Sequence, residues 1–216
     1  MNTRKTVLLG LIIILTAFAL GIYFYPQMPD KIASHWNAQG QVNGYMGKFW
    51  GLFFLPLLSL GFMLLLVALP RLDPLKHNLA EFQKQYNLFV LILVGFLFYL
   101  YLLTLLWNLR PSFRLPQYLA PGFGVLFYAT GVMLRDAKPN RFIGIRTPWT
   151  LTNQRVWQKT HQLGSVLFKV SGGLSALGLL FPRYALWFVL GPVLITSLYL
   201  IIYSYQEFRK GDGKGN

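Results

Sequence analysis

A polar and aromatic segment between two long apolar runs carries the side chains best suited to binding chemistry: NRFIGIRTPWTLTNQRVWQKTH, from Asn140 to His161. Arginine and lysine pair with anions, while amides, hydroxyls and imidazole donate and accept hydrogen bonds. Tryptophan and arginine also anchor ordinary helices at a membrane interface, which is the alternative interpretation. The density of hydrogen-bonding groups favours binding. The candidate partner- or ligand-binding residues are Asn140, Arg141, Gly144, Arg146, Thr147, Pro148, Trp149, Asn153, Arg155, Trp157, Lys159, Thr160 and His161.

A helix is predicted to begin within this segment, with Asn153 or the threonine before it as its N-cap. Arg155 and Lys159 would share one face of that helix, and Trp157 and His161 would share another. A basic face and an aromatic face would therefore meet at the membrane boundary.

The residues before that helix are predicted to be turned rather than helical. Gly144 and Pro148 bracket the short stretch that contains Arg146. Trp149 follows directly and is expected to anchor the segment at the level of the lipid headgroups.

A second loop, from Pro26 to Lys48, carries another group of polar and aromatic side chains. Asn-Ala-Gln-Gly and Asn-Gly are turn signals, and Pro29 and Asp30 predict the start of a short helix, so a compact folded loop is expected. The loop is interpreted either as a structural histidine beside an interfacial tryptophan or as an external binding surface. No second histidine or carboxylate lies nearby to complete a metal site. Its candidate residues are Asp30, His35, Trp36, Asn37, Gly40 and Gly44.

Lys169 lies within an apolar run, roughly 10 Å inside a predicted helix. A charge at that depth costs on the order of 1 to 3 kcal/mol unless it is paired or hydrated, so Lys169 is also a candidate functional residue. Snorkelling of its ammonium group to the cytoplasmic face is the alternative. The six Asp and Glu residues all fall in predicted loops or at helix ends. Their positions argue against a proton-coupled carrier and against an enzyme with paired carboxylates.

Membrane helices are expected to position all of these residues. The chain is 55% hydrophobic and 12% charged, with a positive mean hydropathy, which is typical of an all-α polytopic membrane protein. Crossing the hydrocarbon core takes about 20 residues. The first apolar run is expected to be a retained signal anchor, because no small-residue cleavage site follows it. The six predicted transmembrane helices are Thr6 to Tyr25, Phe49 to Leu69, Asn87 to Trp107, Tyr118 to Leu134, Gln162 to Phe181 and Tyr184 to Tyr205.

The charge distribution predicts the orientation of these helices. Of the 20 Lys and Arg residues, 14 lie at the termini and in the loops 70–86 and 135–161, and five lie on the other side. The positive-inside bias then places both termini in the cytoplasm (N-in/C-in), with 135–161 as a cytoplasmic signature loop and 26–48 as an extracytoplasmic loop. We expect a single integral-membrane domain over 1–216 that contacts the phospholipid membrane and binds no nucleic acid directly.

Two segments resemble a known family. MPDKIASHWNAQGQVNGYMGK is similar to the N-terminal domain of unassigned function that commonly precedes the SdpI module, and NRFIGIRTPWTLTNQRVWQKTH resembles the signature of the SdpI immunity-protein family (SdpI/YfhL-like). The resemblance implies a multi-pass protein of the cell membrane that gives resistance to a secreted, membrane-active peptide toxin. It also implies signalling through a cytosolic winged-helix repressor held at the membrane. The residues implied to be functional are Asn140, Gly144, Arg146, Thr147, Pro148, Asn153, Trp157, Thr160 and His161.

Two other classes of function remain open from the sequence. A small-solute or lipid-handling transporter would use Lys169 and the two three-helix halves, whose opposite orientation is the layout of an inverted repeat without residue-level similarity. An enzyme would need a nucleophile, a base or a metal set, and His35 and His161 are predicted on opposite faces of the membrane. The sequence therefore predicts a protein that is not an enzyme and needs no cofactor or metal.

Overall fold

Six long helices make up most of the chain in the computed structural model, which describes residues 1–212. The last four residues of the predicted 1–216 domain lie outside the described part. Each segment predicted to span the membrane overlaps one of these helices, so the predicted all-α class is confirmed. The long helices are α1 (Thr3–Phe24), α2 (Lys48–Leu72), α4 (Gln83–Leu109), α5 (Leu115–Asp136), α7 (Gln154–Ala176) and α8 (Ala185–Asp212), and the short ones are α3 (Lys76–Glu81) and α6 (Pro148–Thr152).

Four of the helical segments are long and apolar enough to cross a bilayer: Thr3–Gln27, Lys48–Leu72, Gln83–Leu109 and Pro182–Lys210. The protein is therefore a multi-pass membrane protein. The helices α5 and α7 have 22 and 23 residues, which is sufficient length, but they do not meet the same criterion of hydropathy. The hydropathy of α7 is lower because charged, hydroxyl and glycine residues are distributed among its apolar residues.

The helices form two groups of three. In the first half α1, α2 and α4 pack on one another, and in the second half α5, α7 and α8 do the same. The packing of α4 against α5 joins the halves. Met133, Ala137 and Ile143 of the second half complete an apolar core whose other buried residues, such as Val90, belong to the first half.

The helices α5 and α7 pack closely because glycines lie at their contact. A Cβ atom added to Gly172 would lie 2.6 Å from the carbonyl oxygen of Gly124, and one added to Gly131 would lie 2.6 Å from the carbonyl oxygen of Ser165. Small residues allow such backbone approach in membrane helices, where packing contributes much of the attraction between helices. The pair α5–α7 is thus stabilised by contacts that no larger side chain permits.

Replacing Gly172 with alanine is expected to destabilise the protein by about 2 kcal/mol, because backbone atoms of α5 would have to move. Gly173→Ala is the matched control, since a Cβ atom at Gly173 would have no atom of another residue within 4 Å. Thermal unfolding of both purified variants in the same detergent measures the difference. Equal melting temperatures for the two variants would contradict this account of the α5–α7 contact.

The loop between α1 and α2 folds as an antiparallel hairpin of β1 (Lys31–Trp36) and β2 (Val42–Gly47). The prediction of a short helix starting at Pro29 and Asp30 is wrong, because the chain passes directly into β1. Ile32 and Ala33 of this strand are buried. Of the two turn signals, the one from Asn37 to Gly40 is confirmed, and Gly40 has a φ of +80°. The signal at Asn43 and Gly44 is wrong, because both residues lie within β2.

The hairpin is attached to α4 through one side chain. Asn108 accepts a hydrogen bond from the Ala33 amide at 2.8 Å and donates one to the Ala33 carbonyl at 3.0 Å. These two bonds place β1 over the end of α4, at the opposite end of the helices from Gln85 and the signature loop, residues 135–161.

Candidate functional site

Asn140 is the organising residue of the signature loop. Its side chain is 1% exposed, and its amide group donates to the carbonyls of Lys138 and Ile143, each at 2.9 Å. Its side-chain oxygen accepts from the amides of Phe142 at 2.9 Å and Ile143 at 2.6 Å. The side chain therefore closes the turn by pairing backbone groups that would otherwise be buried without partners.

His161 holds the backbone next to Arg146 in place. Its Nε2 atom accepts a hydrogen bond from the Ile145 amide at 3.0 Å, and its Nδ1 atom lies 2.8 Å from the Trp157 carbonyl. An Nε2 that accepts and an Nδ1 that must donate define a neutral imidazole. His161 precedes the predicted fifth span, and burial lowers the pKa of its imidazole to about 4, so it stays neutral at pH 7.

Gly144 has to be a glycine for two reasons. Its φ is +110°, a backbone conformation that strains other residues. A Cβ atom at this position would also lie 2.3 Å from Nε2 of His161. The prediction that the backbone around Gly144 and Arg146 is turned is confirmed, because residues 137–147 contain no helix.

Trp157 holds α7 against the end of α5. Its ring is 0% exposed, its indole nitrogen donates to the Ala137 carbonyl at 2.9 Å, and it stacks on His161 with ring centroids 3.9 Å apart. The predicted N-cap is confirmed at Asn153, whose side chain accepts from the amides of Arg155 and Val156. The predicted aromatic face of this helix is thus its buried face.

Thr147 and Thr150 close the loop at its second turn. Thr147 and Thr150 form a capping box at the start of α6, and the Thr147 hydroxyl lies 3.1 Å from the Ser204 hydroxyl of α8. Thr150 and Ser204 are not among the residues predicted from the sequence. Thr147 followed by Pro148 is a helix-start signal that places Thr150 in the first turn, whereas only the fold brings Ser204 to this position.

The segment between α2 and α4 supports the signature loop from the other half. Asp73, which is 2% exposed, accepts from the Arg141 amide at 2.8 Å, and Asn78 donates to the Pro139 carbonyl at 2.7 Å. Neither residue was a candidate, because nothing in the sequence indicates that residues 68 and 61 positions apart lie together. The loop is therefore a buried hydrogen-bonded structure shared by both halves.

The charged candidates lie on its outer surface. Arg141, Arg146 and Arg155 are exposed, and Arg146 donates to the Arg141 carbonyl. Lys159 differs, because it pairs at 2.6 Å with Glu207, a carboxylate 4% exposed that also pairs with Lys210 at 2.7 Å.

The remaining candidates of the loop are Trp149, Pro148 and Thr160, and they differ in burial. Trp149 packs on Tyr205 with ring centroids 5.0 Å apart, and Pro148 begins α6 beside it. Thr160 is fully buried, and its hydroxyl has no hydrogen-bond partner among the described residues. A binding role for any residue of the signature loop stays a prediction.

The hairpin candidates lie at the other end of the molecule. His35 pairs with Asn43 through its Nδ1 atom, Asn37 closes the turn by accepting from the amides of Gln39 and Gln41, and Asp30 lies 3.6 Å from Lys48. Gly44 lies opposite His35 in the hairpin, where a Cβ atom would approach that side chain to 2.9 Å.

Trp36 packs edge-on against Trp107, and both His35 and Trp36 line a cavity of about 320 Å³. This cavity lies beneath the hairpin and is bordered by residues of α2, α4, α5 and α8. A pocket shared by both halves is therefore present beside these hairpin candidates.

Lys169 lies in α7, where its side chain passes beside Gly131 of α5. Among residues 1–210, no carboxylate oxygen lies within 4.0 Å of its ammonium group. The candidate residues therefore form three separate groups. The signature loop lies at one end of the molecule, the hairpin lies at the other end, and Lys169 lies between them.

The helices, the hairpin and the buried loop define a class of multi-pass membrane protein with one structured segment at each end. The family model described as "SdpI/YfhL protein family" matches residues 136–204, and the one described as "Domain of unknown function (DUF1648)" matches residues 12–60. The two segments quoted from the sequence fall inside these ranges, so the predicted resemblance to the SdpI/YfhL family is confirmed.

One curated relative aligns along nearly the whole chain. The chain is 25% identical over 210 residues to "Immunity protein SdpI" of Bacillus subtilis (strain 168), and the alignment covers 97% of this chain and 99% of that protein. No solved structure matches the chain.

Proposed function

We propose that this protein gives its cell resistance to a secreted, membrane-active peptide toxin. The observation that carries the proposal is the alignment with an immunity protein over 97% of the chain, which includes the hairpin, the signature loop and all six long helices in the same order. A shared domain alone would support the fold of one segment. Coverage of both ends supports a shared activity.

The proposed topology has six spans, with both termini and the signature loop in the cytoplasm. The helices α5 and α7 are long enough to span, and the serines of α7 (Ser165, Ser171 and Ser175) are buried inside the second half, where Ser171 bonds to Thr196 at 3.0 Å. Their lower hydropathy is expected of helices that contact protein on several sides. The hairpin and its cavity then face the outside, where a toxin arrives.

The proposed cytosolic partner binds the exposed basic residues of the signature loop. Arg141, Arg146 and Arg155 project from the hydrogen-bonded loop, and their planar guanidinium groups can pair with carboxylates through two hydrogen bonds each. A winged-helix repressor with an acidic patch fits this surface. Toxin engagement near His35 and Trp36 would have to favour one arrangement of the two halves in order to change that binding.

Survival of a toxin-sensitive bacterium that expresses this protein tests the proposal. We expect the wild-type protein to protect, and Arg146→Ala to reduce survival by about tenfold or more, because a charge-assisted contact is lost. Arg146→Lys is the matched variant, which keeps the charge but loses the planar fork. All three proteins are compared at equal membrane levels.

The outcomes separate the parts of the proposal. Protection by all three proteins would support immunity and remove Arg146 from its mechanism. A pull-down in which Arg146→Ala/Arg155→Ala retains every cytosolic partner would remove recruitment through the basic surface. Absence of protection by the wild-type protein, against toxins that its sensitive host responds to, would favour the transporter or lipid-handling class instead.

A further inference from the structure

Three neighbouring cavities, together called the groove, follow the junction of the two halves, where α4 faces α5 and α7. The first cavity is polar, has a volume of about 570 Å³ and lies at the signature loop. Gln85 lines both this cavity and the next one, which is apolar and has a volume of about 430 Å³. Pro121 and Val125 border both this cavity and a third, of about 450 Å³, which reaches Tyr99. The groove is therefore polar at one end and apolar along the rest.

The apolar part has the length of a lipid chain. From Gln85 to Tyr99 the groove follows α4 for about 21 Å, which exceeds the roughly 15 Å that one leaflet contributes to the hydrocarbon core. Gly95 and Gly173 border it, and a Cβ atom at either glycine would have nothing within 4 Å. Val125 is 59% exposed, so the groove opens sideways toward the bilayer.

The polar end carries charges of both signs. Lys138 lies 3.4 Å from Glu81, and Asp136 accepts a hydrogen bond from Gln85 at 2.7 Å. Arg135 is exposed there, and no carboxylate lies within 4.0 Å of it in the described part of the chain. A phosphate group would pair with Arg135, and a neighbouring ammonium group would donate to the carboxylates.

We propose that this groove binds one phospholipid whose headgroup carries both a phosphate and a primary ammonium group, as phosphatidylethanolamine does. A second membrane helix is a poor occupant, because its apolar surface would meet the charged end. A quaternary ammonium group cannot donate hydrogen bonds to Asp136 or Glu81, which disfavours phosphatidylcholine. The inference does not depend on the proposed immunity function.

Native mass spectrometry of the full-length protein in detergent tests this inference. The protein is titrated with phosphatidylethanolamine, phosphatidylglycerol and phosphatidylcholine that have identical acyl chains. We expect one bound phosphatidylethanolamine, with affinity about fivefold to tenfold above the other two, the factor that one or two hydrogen bonds supply. Asp136→Asn is expected to reduce that preference, and Gly173→Leu to reduce binding of all three lipids because leucine fills the groove.

Gly191→Leu is the matched control, since a Cβ atom at Gly191 also meets nothing within 4 Å, and this residue lies on α8 away from the groove. Unchanged lipid binding in Gly191→Leu together with loss in Gly173→Leu supports the site. Equal binding in the two variants would overturn it, as would equal or tighter binding of phosphatidylglycerol or phosphatidylcholine by the wild-type protein. A protein dimer that Gly173→Leu dissociates, without bound lipid, would assign the groove to a second copy instead.

Discussion

Replacing Gly144 with alanine is expected to destabilise the protein by about 3 kcal/mol or more, from backbone strain together with a lost buried hydrogen bond. The new methyl group would occupy the position of the His161 imidazole, 2.3 Å from Nε2. The imidazole cannot turn away cheaply, because it stacks on Trp157 and is bonded through Nδ1. The Ile145 amide would then lose its acceptor.

Thermal unfolding of the purified protein measures this loss, and Gly61→Ala provides the comparison. Gly61 lies in α2, and a Cβ atom there meets nothing within 4 Å. Its replacement is expected to leave the melting temperature unchanged or slightly raised, as alanine favours a helix. A Gly144→Ala protein as stable as Gly61→Ala would show that His161 can move and that the loop is not rigid.

Asn140→Ala is expected to cost about 3 kcal/mol, because two backbone amides and two carbonyls in a buried site lose their partner together. The loop should open with it, so we also expect faster amide exchange at Phe142 and Ile143, whose amides bond to this side chain. Hydrogen exchange followed by mass spectrometry of the signature loop checks the second effect independently of global unfolding.

Asn37→Ala is the control for this measurement. Asn37 also accepts from two backbone amides, those of Gln39 and Gln41, but it is only half-buried in the hairpin turn. Water can replace its side chain, so the expected cost is about 1 kcal/mol. Equal losses in the two variants would mean that burial of Asn140 adds nothing to its effect.

The helical frame was predictable because long apolar runs have few alternatives in a membrane. The hairpin was not predicted as strands, although its turn was. Its residues alternate weakly between buried and exposed, and Pro29 and Asp30 gave a competing signal for a helix. What settles the conformation is tertiary: Asn108 of α4 bonds to both backbone groups of Ala33.

The position of the candidate site was predictable, but the work of its residues was not. Asn140 and His161 were expected to form hydrogen bonds, but their residue types do not identify the partners. In the structure their polar atoms bond to backbone groups of the signature loop. Asp73 supports the loop from a distant part of the chain, and its sequence neighbourhood carries no signal for that contact. The N-cap at Asn153 was predictable, since capping depends on adjacent residues alone.

The bonding of Asn140 has a consequence for the use of this motif in genome surveys. All hydrogen bonds of this side chain are made to backbone groups of the loop itself, so Asn140 stabilises the loop conformation and does not determine what the loop binds. A search pattern built on Asn140, Gly144 and His161 would therefore retrieve proteins with the same loop architecture and divergent biology. Sorting them by what the loop contacts requires its solvent-facing positions, beginning with Arg141, Arg146 and Arg155.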